Sequence, residues 1–153
     1  MLTNFEIMPK AKPRVNFFFS ESKSLTLKNR ENLKKYIISI FRLEKKNLAS
    51  INYIFTNDRG ILDINRRYLN HDFLTDIITF ELSGKNQPII SEVYISVERV
   101  KENAAIHNTT FKEEIHRVIF HGILHLCGFN DKLKKQEQIM RAKETYYLSK
   151  YFS

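Results

Sequence analysis

Apolar side chains at Leu33, Tyr36, Ile37, Ile40 and Phe41 fall at the spacing of one buried helical stripe, with Lys34, Lys35 and Arg42 off it. This pattern predicts a helix over about Lys28 to Glu44. Upstream, Val15 to Phe19 has the β-branched and aromatic content of a strand, and the segment up to Pro13 is expected to be a mobile tail. Ile51 to Phe55 predicts a second strand. Cap-type residues at Thr56 to Asp58 then start a second helix ending near Asn70, with Ile61, Ile64, Tyr68 and Leu69 on its buried side. Ile77 to Leu82 and Ile89 to Ser96 predict two more strands, joined by a link whose turn chemistry suits a hairpin. A third helix is expected over Val97 to Ile106. Thr110 and Glu113 match a capping box that opens a fourth, running to about Leu126. Its later part, VIFHGILHLC, is apolar nearly all round, so this helix should be the buried central one. The last helix, about Lys132 to Tyr151, offers Leu133, Ile139, Met140, Tyr146 and Tyr147 for packing. Strands come early and the apolar helix late, which argues for the α+β class: one domain over residues 1–153, a small mixed four-stranded sheet packed with about five helices.

Composition narrows the setting. No apolar run is long enough to span a membrane, and the first residues lack the continuous apolar stretch of a signal peptide, so a cytoplasmic location is expected. A single cysteine, Cys127, excludes an internal disulfide; it is read as a small buried residue rather than a ligand. The net charge of +8 is unevenly spread. Residues 1–46 carry 11 Lys and Arg against 4 Glu, and residues 132–150 carry 6 against 2, whereas residues 47–131 carry 8 against 11 acidic groups. Positive charge at both ends of the chain suits a polyanion, but it equally suits a solvated surface.

The candidate chemistry lies in HGILHLCGFND, which spaces His121, His125, Gly128 and Asp131 as H-x3-H-x2-G-x2-D. Two histidines four apart share one helix face, and imidazole is a common ligand of zinc and similar ions. Gly128 can end the helix in a left-handed conformation, so that Asp131 returns as a third ligand. Three protein ligands with a fourth position open mark a catalytic rather than a structural zinc site. The spacing also resembles a zinc-protease signature, H-E-x-x-H-x-x-G-x-x-H, but the general-base glutamate is replaced by Gly122, so a peptidase loses its chemistry. His71, His107 and His116 are expected at the surface.

The same stretch resembles the signature of the YbeY family, bacterial endoribonucleases that mature ribosomal RNA: H-G-x-L-H-L-x-G-(Y/F)-D-H. INRRYLNHDFLTDIITF (Ile64 to Phe80) is similar to the family's block of Leu-Asn, an aromatic and a Thr-Asp pair leading into a strand. SEVYISVERVKENA (Ser91 to Ala104) is similar to its G-D-I-x-I-S segment before a helix. The resemblance implies a zincin-like metal helix, one Zn2+ per chain, cleavage of single-stranded RNA, processing of the 3′ end of small-subunit ribosomal RNA, and ribosome quality control. The implied partners are single-stranded RNA, ribosomal RNA and the small ribosomal subunit, with neither membrane nor DNA. The third ligand is usually histidine in the family and is Asp131 here, which makes the site less positive by one charge. Where the family often has arginine, this chain has Leu69, with Arg66 and Arg67 one turn earlier as substitutes.

A bound metal can lower the pKa of its water toward about 7, or polarise a phosphoryl oxygen while the RNA 2′-hydroxyl attacks. The sequence leaves both routes open and identifies no general base. Thr75, Asp76 and Arg67 are candidates for contacts to substrate or behind the ligands, against a plain turn and strand-start role for Thr75 and Asp76. The alternative is a non-catalytic ribosome-assembly or RNA-binding factor with a structural metal.

Overall fold

The predicted stripe around Leu33 becomes α1 (Arg30–Leu43), in which Leu33, Ile37, Ile40 and Phe41 are buried. The computed structural model describes residues 11–20 and 25–153; the expected tail lies outside them up to residue 10. Around α1 the chain runs β1 (Arg14–Phe19), α1, β2 (Leu48–Thr56), α2 (Asp58–Leu69), β3 (Ile77–Glu81), β4 (Ile89–Ser96), α3 (Val97–Ile106), α4 (Phe111–Leu126) and α5 (Lys134–Tyr151). The α+β reading of four strands and five helices holds.

The sheet order is β1-β2-β4-β3. The β1–β2 and β2–β4 pairs are parallel, and β3 runs antiparallel to β4 through the hairpin its turn residues suggested. Side chains alternate across the strands, so Ile51, Tyr53 and Phe55 of β2 align with Ser91, Val93 and Ile95 of β4 on one buried face. α1 and α4 cover that face. The Tyr53 hydroxyl donates to the Ile119 carbonyl of α4 at 3.3 Å, which satisfies a phenol that would otherwise be stranded in the core. The other face is more polar: Asn16 donates to Asn52 across β1 and β2, and the Tyr94 hydroxyl donates to Glu92. There the Tyr68 ring of α2 meets Phe80 of β3 edge-on.

α4 is the central helix the sequence pointed to, with ten of its residues buried. Its Thr110 cap accepts from the Glu113 amide, but the Glu113 carboxylate turns to the Thr109 hydroxyl instead of closing the box. Two apolar stripes require correction. On α2, Ile61 and Asn65 are buried, while Tyr68 and Leu69 are exposed because the last turn overhangs a cleft. On α5 the buried stripe is Met140, Glu144, Tyr147 and Leu148; Leu133, Ile139 and Tyr146 face solvent.

Candidate metal centre

His121 and His125 stand one turn apart on α4, their rings 4.5 Å centre to centre and nearly perpendicular. The chain then turns back sharply. Gly128 adopts φ 100°, a conformation that side-chain-bearing residues rarely tolerate. The Phe129 amide donates to the Leu124 carbonyl and the Gly128 amide to that of His125, each at 3.0 Å, the paired bonds of a Schellman helix end. This reversal delivers Asp131. Its Oδ2 lies 3.4 Å from His121 Nε2 and 3.5 Å from His125 Nε2. One donor atom from each of the three residues falls within 4.8 Å of the others, and theirs is the one such cluster among the described residues.

The imidazoles are oriented from behind. His121 Nδ1 lies 2.7 Å from Glu144 Oε2, so this nitrogen carries the donated proton and Nε2 is left as the lone-pair donor facing Asp131. Glu144 is only 4% exposed, and Arg117 donates to its other oxygen at 3.3 Å. Burial alone would lower the His121 pKa, but the hydrogen bond and charge of Glu144, with Asp131 and Asp76 nearby, raise it above the ordinary value. Burial and the adjacent His121 lower that of His125. Two imidazole nitrogens and a carboxylate, one imidazole backed by a second carboxylate, form a donor set that suits zinc.

Two depressions flank this cluster. One is walled by buried or partly buried charge: Glu114, Arg117, Glu144 and Asp76. Burial raises the pKa of both Asp76 and Glu114, against the opposing pull of His121 on the first and Arg117 on the second. The other opens between the α2–β3 loop and the α4–α5 turn, where His71, Phe73, Leu69, Thr75 and Lys132 line a cleft shared with His121, His125 and Asp131. Thr75 and Asp76 therefore both reach the cleft, although the Thr75 hydroxyl is turned to the Ile77 carbonyl at 3.3 Å, in keeping with a strand-start role.

Arg67 does not line the cleft, and Arg66 is tied at the surface to Asp72, so neither stands where the family pattern has arginine. Gly122 faces the sheet. A Cβ there would sit 3.0 Å from Ile77 Cδ1 and 3.3 Å from Thr79 Oγ1, so the missing glutamate has no room. Cys127 is buried, its thiol pushed up to about 12 by burial and by Glu44, and is an inert core residue. His71 and His107 are exposed as expected. His116 is not: it is buried, with Nδ1 2.6 Å from the Lys112 carbonyl and its ring stacked on Tyr151.

Sequence reasoning missed Glu144 and Arg117, and reached Lys132 only as part of the basic segment 132–150. Glu144 had a signal: an acid among Met140, Tyr147 and Leu148, at helical spacing on what proves to be the buried stripe. No local pattern linked it to His121, 23 residues away.

A family model described as Endoribonuclease YbeY matches residues 18–152. The chain is 43% identical over 133 residues to a Cytophaga hutchinsonii protein named Endoribonuclease YbeY, covering 87% of this chain and 93% of that one. It is 44% identical over 123 residues to a Bacteroides fragilis protein of the same name, covering 80% and 87%. The solution structure of TM1509 from Thermotoga maritima has a similar fold, with a TM-score of 0.58 and 26% identity over 92% of this chain and 89% of that one.

Proposed function

The chain belongs to the Endoribonuclease YbeY family, and from that premise we propose that it cleaves single-stranded RNA at a divalent metal centre held by His121, His125 and Asp131. The observation that carries the reading is the convergence of these three donor groups, with Glu144 fixing which nitrogen of His121 is offered. Zinc is the proposed ion, because two imidazoles and one carboxylate make up a known catalytic zinc set. When bound, it supplies a Lewis acid at the phosphodiester. The protein's own contribution is preorganisation: Glu144, itself paired with Arg117, holds His121. Asp76 and Thr75 both line the same cleft, which supports them as contacts to the substrate. The small-subunit ribosomal RNA 3′ end is the proposed physiological substrate, with the cytoplasm as its place of action. No helix among the described residues is long and apolar enough to cross a membrane.

A non-catalytic RNA-binding role draws on one observation, Leu69 in the cleft where the family pattern has arginine. The two readings separate in a single assay. Purified protein is incubated with single-stranded RNA, with and without a chelator, beside folded His121→Ala. Chelation and His121→Ala should each abolish cleavage, and elemental analysis should find near-stoichiometric zinc that is lost in Asp131→Ala. Cleavage by His121→Ala at the wild-type rate would defeat the nuclease reading. RNA binding by metal-loaded wild type without any cleavage would favour the assembly factor.

A further inference from the structure

One feature of the open cleft has no role in holding the ion. His71 and Phe73 stack on one another in the α2–β3 loop, ring centres 5.0 Å apart and planes 23° apart. Phe73 is 55% exposed, and both rings line the cleft that contains His121, His125 and Asp131. Exposed aromatics are commonly held loosely, but these two are anchored. Asn65, only 1% exposed, donates from Nδ2 to the Phe73 carbonyl at 2.8 Å, and its own carbonyl accepts from the His71 amide at 3.1 Å. A buried asparagine on α2 thus clamps both ends of the three-residue stretch carrying the rings. Arg66 pairs with Asp72 between them. Lys132 lies in the same cleft, beside the candidate ligand Asp131.

An aromatic surface with a cation and a metal centre nearby matches one ligand chemistry: an unstacked nucleobase with its phosphate. Bases of single strands stack on protein aromatics with little regard to sequence, whereas paired bases are not available to do so. We propose that His71 and Phe73 form a stacking platform for a base next to the scissile phosphate, which Lys132 helps to hold. This inference rests on the nuclease reading, and it gives a physical reason for single-strand selectivity.

The chain contains no tryptophan, so Phe73→Trp introduces a sole indole reporter. In chelator, where cutting is suppressed, oligoadenylate should quench its emission, while an abasic ribose-phosphate oligomer of equal length should not. Phe73→Ala should weaken oligoadenylate binding roughly tenfold, with metal content unaltered and Phe73→Tyr close to wild type. Equal quenching by the abasic oligomer, or unchanged affinity of Phe73→Ala, would overturn the platform. So would a wild-type dimer that Phe73→Ala dissociates while RNA leaves the reporter unmoved, since a second copy would then cover the rings. Cleavage that is indifferent to Phe73→Ala removes the platform and leaves the nuclease standing, whereas quenching without metal-dependent cleavage removes the nuclease and, with it, the scissile phosphate from the platform's description.

Discussion

On one side of the His121–His125–Asp131 cluster Glu114, Arg117 and Glu144 are buried or half-buried and paired with one another; on the other, His71, Phe73 and Lys132 are exposed. Glu144 and Arg117 occupy the closed side, at a depth where an unpaired charge would be costly. Phe73 and Lys132 occupy the open side, at positions that favour association with something outside the protein. The two flanks divide two requirements that compete at a metal site. Donor atoms must be fixed before the ion arrives, and the substrate needs an accessible surface. Rigidity comes from α4 and α5, and access from the loop between α2 and β3.

The sharpest way to break this division is Glu144→Ala. It frees the His121 ring and should weaken metal affinity about 10- to 100-fold, as loss of such outer partners does elsewhere. Glu144→Gln, whose amide oxygen still accepts from Nδ1, should fall in between. Competition against a chromogenic chelator measures both, and wild-type affinity in Glu144→Ala would mean that the closed flank does not organise the ligands. A smaller effect is expected from Asn65→Ala, which removes the bond to the Phe73 carbonyl and should cost about 1 kcal/mol of stability in urea unfolding. Its zinc content should match wild type while KM for RNA rises; loss of zinc in this variant would erase the distinction between the flanks. The smallest effect belongs to Lys132→Ala, which should reduce the slope of log binding constant against log salt by roughly 0.7, the contribution of one phosphate contact on a single strand. An unchanged slope would remove Lys132 from phosphate binding.

Much of the frame was legible because periodicity reports burial directly. β4 and α3 match their expected bounds, and the H-x3-H-x2-G-x2-D spacing anticipated the convergence of its three donors, since a helix turn and one glycine reversal determine it locally. What escaped depends on tertiary placement. Tyr68 and Leu69 continue an apolar stripe but project beyond the sheet, so periodicity alone counts them as core. Leu133, Ile139 and Tyr146 fail for a related reason: α5 docks along Met140, Glu144 and Tyr147, and an acid on that line disguises it as a solvated face. His116 looked superficial because nothing local showed that Tyr151 and Phe152, at the far end of the chain, would close over it. The cleft itself was invisible, because its two walls come from segments 40 or more residues apart.

The Gly128 reversal also governs how an ion would couple to folding. All three donors fall within eleven consecutive residues, so even a denatured chain keeps them near one another, and closing so short a loop costs little entropy. An ion gripped by both folded and denatured forms stabilises the native state by less than its full affinity. Glu144, supplied by a different helix, is the part of the arrangement that a denatured chain cannot reproduce. Preference for the native form would therefore be carried by a residue that does not touch the ion, and tight retention of an ion would report that α5 has docked.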